Sequence, residues 1–234
     1  MTTVDVAAAR RLGGTVRSMA LQESYELTLQ SVARTALTVV PGCEHASVSL
    51  RHANDRIRTP AATDGVALLL DARQYQLDEG PCLDAVRNEP VVVTGDLGDD
   101  EAEGGRGRWS QWSRSAREAG VRSVLSVRVG IPGTVLGSLN LYADPPRAYD
   151  RDAVALARLF ADHAATAMAL SNELVGLRSA LATRHTIGLA QGVLMQRYSL
   201  DVDAAFAVLQ RHSQDTNTKL RDLATAVVEG RDVI

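Results

Sequence analysis

The chain has 234 residues, 45% hydrophobic and 23% charged, with a formal net charge of −3. This is globular composition for one large or two modest domains, and it excludes a disordered chain. The slightly acidic balance also excludes a nucleic-acid binder that works through overall positive charge, so any such contact must be local and shaped.

An N-terminal segment, residues 1–21, precedes the first domain, and across its end the apolar residues Met19, Ala20, Leu27, Val32, Ala36 and Leu37 return at helical spacing and predict one helix over 16–40, stopped by Pro41-Gly42. Ala46-Ser47-Val48-Ser49-Leu50 alternates like a half-buried strand. Short helices are expected at 67–75 and, opening on Gly80-Pro81, at 80–88. Val91-Val92-Val93 reads as a short buried strand, and residues 96–108, acidic and then glycine-rich, as a mobile loop. A helix over 109–119 ends at Gly120, and strands follow at 121–129 and 135–142. This order predicts an α+β domain, an antiparallel sheet with flanking helices. The stretches Gln76-Leu77-Asp78-Glu79-Gly80-Pro81-Cys82-Leu83, Ala119-Gly120-Val121-Arg122-Ser123-Val124-Leu125 and Leu136-Gly137-Ser138-Leu139-Asn140-Leu141-Tyr142 resemble a GAF domain over 22–172. The resemblance implies a sensor with a small-molecule or signal pocket between sheet and helices, around Glu79 to Cys82.

No proline interrupts residues 152–195, which predicts one long linking helix. Phe160, His163, Ala167, Leu170, Leu174, Leu177 and Leu181 recur at spacings of three and four, a heptad seam. A self-associating stalk is the favoured reading, against one buried face of a domain's last helix.

Three short amphipathic helices close the chain. Ile187, Ala190 and Leu194 mark the first, Val202, Ala205, Phe206 and Leu209 the second, Leu220, Leu223, Ala224 and Val227 the third. Ser199 and Asn217 are expected to cap the second and third, and Gly230 follows the last apolar residue. Ile187, Ala190, Gly192, Leu194, Met195, Ala205, Phe206, Leu209, Asn217, Lys219, Leu220 and Ala224 give this region, over 180–229 within an all-α module at 173–232, its resemblance to an ANTAR domain. That resemblance implies a dimer that binds paired RNA stem-loops and favours an antitermination hairpin over a terminator.

The polar residues beside those apolar ones, Arg184, Gln191, Arg197, Arg211, Asn217 and Lys219, are the candidate RNA contacts. Amides and guanidiniums read unstacked bases, and cations hold phosphates; solvated helix faces, and capping for Asn217, are the alternatives. Many members of that family carry Lys before the glycine, where this chain has Gln191, one cation fewer. Tyr198, His185 and His212 are weaker candidates.

In the sensor region the candidates are Glu79, Cys82, Trp109 and Trp112. Cys82 near a helix N-terminus raises the option of a lowered thiol pKa and redox sensing, against a small buried residue. Trp109 and Trp112 share a helix face as core anchors or a pocket lid. Neither a phosphate loop, nor a hydrolase elbow, nor metal-ligand spacing is present, so no catalytic or metal residue and no cofactor is assigned, and no enzyme is expected. Cys43 and Cys82 are too few for a disulfide framework and fit a reducing cytosol. With no secretory signal and no stretch read as reaching transmembrane length, a cytoplasmic protein without a membrane partner is expected. The sum is a signal-responsive RNA-binding regulator, a transcription antiterminator. A DNA-binding or protein-interaction signalling regulator is the alternative, and the first of these expects a basic recognition helix. The segment 217–229 offers only Lys219 and Arg221 against Asp222 and Glu229.

Overall fold

The structure, a computed structural model, describes residues 19, 22–99 and 108–231. The chain divides into two compact units, Met1–Asn172 and Glu173–Ile234. In the first, chain order is α1 (Tyr25–Val39), β1 (His45–Arg51), β2 (Ile57–Ala62), α2 (Gly65–Leu77), α3 (Pro81–Arg87), β3 (Val91–Thr94), α4 (Ser110–Glu118), β4 (Ser123–Ile131) and β5 (Thr134–Ala143). Helix α5 (Arg151–Tyr198) supplies residues to both units, and α6 (Val202–Asp215) and α7 (Leu220–Val228) complete the second.

The five strands form one sheet in the order β2-β1-β5-β4-β3, and every neighbouring pair is antiparallel. Register sorts the side chains by face. Val48 pairs with Leu139, and Leu139 with Val127. With Leu125, Leu141 and Val129 they form an apolar face, buried with Leu29, Val32 and Ala36 of α1 and Ala157, Phe160, Ala164 and Met168 of α5. Thr28 Oγ1 donates to Ser171 Oγ at 2.8 Å, tying α1 to α5. A second cluster joins Ala67 and Leu70 of α2, Ala85 of α3 and Trp112 and Ala116 of α4 to Val124 and Tyr142 of the sheet.

Several expectations change. The helix read over 16–40 does not continue through Ser24, whose extended backbone and Oγ, accepting from Leu27 N at 3.2 Å, make it the N-cap of α1; residues 16–18 and 20–21 lie outside the described residues. Strand β2 went unread because Pro60 and exposed alternate residues hide it, and both suit an edge strand. The segment read as a mobile loop is anchored at both described ends. Leu97 is fully buried, Asp96 pairs with Arg122 at 2.8 Å, and Arg108 pairs with Asp84 at 2.9 Å and Glu89 at 2.7 Å; residues 100–107, with most of the glycine-rich part, lie outside the described residues.

Two supposed helix starts are stops. Ser199 (φ 55°) and Asn217 (φ 51°) take the left-handed conformation that ends α5 and α6, where an N-cap needs extended backbone. Asp201 caps α6 instead, its carboxylate accepting from Ala204 N at 2.7 Å, and Lys219 precedes α7 with no side-chain cap bond. Gly230 follows α7 at φ 74°, as expected. The heptad seam also splits: Phe160 and Ala167 are core residues, while Leu170, Leu174, Leu177 and Leu181 are 47%, 38%, 55% and 68% exposed. Finally, α5 is long and apolar enough to cross a membrane, contrary to the sequence reading. Its alanine-rich first half accounts for this, since Ala153, Ala157, Ala161, Ala164 and Ala165 are core residues facing the sheet and α1.

Candidate functional sites

The face of the sheet turned from α1 is lined by polar residues. Ser47 pairs with Asn140, Asn140 with Ser126, and Ser49 with Ser138, and all five are fully buried. Asp71 of α2, also fully buried, meets them. Its carboxylate accepts from Ser47 Oγ and Thr59 Oγ1 at 2.6 Å, Tyr142 OH at 2.5 Å and Asn140 Nδ2 at 3.1 Å. Burial pushes the Asp71 carboxyl up, against the downward pull of the hydrogen bonds from Ser47, Thr59, Tyr142 and Asn140. Tyr75 OH lies 2.7 Å from both Ser49 Oγ and Thr59 Oγ1. Gln74 donates to Tyr142 OH at 3.1 Å and accepts from Cys82 N at 2.7 Å. That last bond explains Gly80: at φ 138°, a Cβ there sits 2.4 Å from the Gln74 side chain.

Cys82 completes the network, its Sγ 3.1 Å from Ser138 Oγ and 3.4 Å from Ser49 Oγ. Burial, with the nearby Asp71 charge, pushes the thiol up to about 11. The lowered pKa expected for a redox sensor is therefore reversed, because desolvation outweighs a seven-residue helix's N-terminus. Cys43 packs against the apolar cluster across the sheet, so the two thiols do not share an environment.

The other sensor candidates hold α4 in place. Glu79 Oε1 accepts from Gln111 N at 2.8 Å and Trp112 N at 2.7 Å, capping that helix. Trp112, fully buried, donates to Leu70 O at 3.0 Å, and Trp109 to Asp84 Oδ2 at 2.8 Å. Their rings meet edge to face, 6.2 Å apart. Beside Tyr75 lies a cavity of about 290 Å³ between Asp55, Arg56, Ile57, Leu83 and Arg87, the last tied to Asp78 at 2.7 Å. At the start of β1, His45 bridges Asp64 at 3.0 Å and Asp144 at 3.3 Å. Partial burial lowers its pKa, but the two carboxylates win and raise it. Among the described residues, no group of three metal-ligating side chains is placed to hold an ion.

The second unit is built on Ala190 and Leu194 of α5, Ala205 and Leu209 of α6, and Leu223, Ala224 and Val227 of α7. Beside it runs an open groove of about 610 Å³, lined by Ala180, Thr183, Arg184, Ile187, Gln191 and Phe206 among others. Of the candidate RNA contacts, this groove brings Arg184 and Gln191 together. Gln191 Nε2 donates to Val202 O at 3.1 Å, so the amide that replaces a cation also ties α5 to α6. Arg197 and Arg211 are exposed on α5 and α6, and Asn217 and Lys219 in the turn before α7. Arg184, Arg197, Arg211 and Lys219 are absent from the ion pairs among the described residues, unlike Arg221, which meets Asp222 at 3.1 Å. Phe206, one of the apolar positions that mark α6 in the sequence, is 38% exposed while Ala205 and Leu209 are fully buried.

The GAF domain family matches residues 22–169, well over half the chain. The chain belongs to the GAF domain family. Behind this GAF unit the ANTAR domain matches residues 176–228. No match was found among curated proteins. Among solved structures, a bacteriophytochrome from the photosynthetic bacterium R. palustris is 13% identical, covers 92% of this chain and has a TM-score of 0.60; the chain spans 48% of that protein's length. The GAF domain of an Acinetobacter phosphoenolpyruvate-protein phosphotransferase is 17% identical over 74% of this chain and 97% of its own, with a TM-score of 0.53. A free methionine-R-sulfoxide reductase from Neisseria meningitidis is 15% identical over 74% and 96%, with a TM-score of 0.54. At such identities these structures show the fold alone. GAF is a sensor domain and ANTAR an RNA-binding antitermination module, so this GAF–ANTAR chain has the layout of a signal-regulated regulator.

Sequence reasoning missed Asp71, Gln74 and Tyr75. One signal was there: their spacing of three and four puts them on one face of the helix. Ser47 and Ser49, which alternate with apolar residues along the strand read as half-buried, are both fully buried and hydrogen-bond Asp71.

Proposed function

We propose that this chain is a signal-responsive transcription antiterminator, cytoplasmic, that grips RNA stem-loops through a pair of ANTAR modules under the control of its GAF unit. The ANTAR match over residues 176–228 carries the reading. It gains from four cations, Arg184, Arg197, Arg211 and Lys219, left without ion-pair partners among the described residues of a module whose sequence, residues 173–234, holds seven basic and seven acidic side chains. Neutral as a whole, such a module binds RNA through placed contacts. The exposed Leu170, Leu174, Leu177 and Leu181 give α5 a stripe that a second copy covers. A signal in the GAF unit then acts by favouring one packing of the paired helices, and only unequal RNA affinity of the two packings makes a switch.

The test is equilibrium binding to RNA hairpins with duplex DNA as competitor. Hairpins are expected to bind and duplex DNA to compete poorly, and replacing one phosphate-contacting cation by Ala lowers the salt slope by about one. Equal competition by DNA, or no binding to any hairpin, rules the reading out. For the dimer, Leu177→Lys with Leu181→Lys is expected to sediment as a monomer and to lose tight binding to tandem hairpins.

A further inference from the structure

We infer that the groove between α5 and α6 of the ANTAR module receives one unstacked base of an RNA loop, with Phe206 as the stacking platform and Arg184 and Gln191 reading the base edge. This rests on the RNA-binding reading above and gives it a specificity-determining residue.

Phe206 is the anomaly that points there. A phenyl ring on the apolar shoulder of an amphipathic helix ordinarily folds inward, yet it stays 38% exposed beside the fully buried Ala205 and Leu209. It opens into a groove of about 610 Å³, within the range of roughly 300–1,000 Å³ that suits small planar ligands. The groove is also lined by the small residues Gly176, Ser179 and Ala180, and a Cβ at Gly176 meets nothing within 4 Å, so this part of the lining leaves room for a guest ring.

The polar groups fit the same guest. Among the described residues the groove has no carboxylate in its lining, although the module's sequence contains seven acidic side chains. Arg184 is exposed and outside the ion pairs among the described residues. Gln191 uses its Nε2 on Val202 O, and its carbonyl oxygen has no hydrogen bond among the described residues. A guanidinium donor and an amide acceptor flanking an aromatic face are the groups that read splayed-out bases, and a cation suits the adjoining phosphate. A second copy of the chain is the rival occupant, but it has a better surface. At 100° per residue the exposed Leu174, Leu177 and Leu181 lie roughly 120° round α5 from the groove, so the pair can form while the groove stays open.

The experiment uses the full chain and a pool of synthetic RNA hairpins with randomised loops on one fixed stem. From the tightest hairpin, variants with an abasic nucleotide at each loop position are made. Phe206→Leu is expected to weaken the tight hairpin about 5- to 100-fold, and Phe206→Tyr to bind as wild type does. One abasic position should weaken wild type by a similar factor and leave Phe206→Leu unchanged. Unaltered thermal unfolding of Phe206→Leu sets aside misfolding. Should Phe206→Leu bind the hairpin as tightly as wild type, the inference is overturned and the RNA-binding reading stands. A changed sedimentation coefficient with unchanged RNA affinity also overturns it, making the groove a contact between copies. If wild type binds no hairpin in the pool, both readings fall.

Discussion

The buried polar or charged side chains found among the described residues run from Thr28 to Ser171, all in the GAF unit, and the described ANTAR module has none. The GAF unit thus spends part of its interior on a hydrogen-bonded network around Asp71, while the module buries only Ala190, Leu194, Ala205, Leu209, Leu223, Ala224 and Val227 and keeps its charges outside. A buried network is costly unless each member is satisfied, and when satisfied it fixes one arrangement. A thin apolar core fixes less and leaves the polar groups free to meet a partner. The contrast matches the division of labour: a sensing domain has its chemistry inside, and an RNA-binding module has it on the surface.

The sharpest way to break that contrast is Asp71→Ala. It leaves the hydroxyls of Ser47, Thr59 and Tyr142 and the amide of Asn140 without their common acceptor. At about 1–3 kcal/mol for each stranded group, less the gain from no longer burying a carboxylate, the expected loss is about 3–5 kcal/mol. Chemical denaturation followed by Trp109 and Trp112 fluorescence reads the GAF unit alone, because the chain has two tryptophans and both lie there. A loss under 1 kcal/mol means that the network is dispensable.

The complementary cut is Leu209→Ala, which opens a cavity in the seven-residue cluster of the module and is expected to cost about 2–4 kcal/mol. Helical signal should fall at lower denaturant while tryptophan fluorescence keeps its midpoint. Coincident shifts in both signals contradict two separately cored units.

These cuts also mark what the sequence made legible. Helix and strand periods located most elements, since each depends on neighbours within a few positions. The edge strand β2 was hidden by Pro60, and the starts of α6 and α7 by cap-forming residues, Ser199 and Asn217, that terminate the helix before. The Asp71 network joins residues 24 and 69 positions apart, and nothing local marks Ser47 or Asn140 as its partners. Phe206 shows a different limit: it shares the apolar helical phase of Ala205 and Leu209, yet those two are fully buried and it is 38% exposed, because phase marks the side of a helix and not the depth. Of the candidates that were named, Glu79 and the two tryptophans have their polar atoms engaged within the fold, while Arg184 and Gln191 converge on one groove.

A smaller effect separates holding the GAF unit together from sensing. Glu79 caps α4 through the N–H groups of Gln111 and Trp112, and Glu79→Ala is expected to cost about 1–2 kcal/mol, with Asp84→Ala as the matched control at the Trp109 indole. Equal thermal shifts for wild type and Glu79→Ala on adding a ligand that stabilises the GAF unit are the expected result. Abolition of that ligand shift places Glu79 in the pocket.

The smallest predicted effect is a pH dependence confined to one unit. His45 lies between Asp64 and Asp144, whose carboxylates raise its pKa in the folded state against the opposing effect of partial burial. A raised folded value means that the native state binds the proton more tightly than the unfolded chain does. The stabilisation is complete below the unfolded value of 6.5 and is lost as pH rises through the folded one. Because Asp144 is well exposed, water screens the interaction, and about 0.5–1 kcal/mol is expected from the pair. Denaturation midpoints of the GAF unit should therefore decline above the unfolded value, and His45→Gln should flatten that decline. The midpoint of the ANTAR module should not follow His45, which lies outside it. If His45→Gln leaves the slope of the GAF unit unchanged, another group governs it, and the bridge from β1 to the N-cap of α2 contributes packing alone.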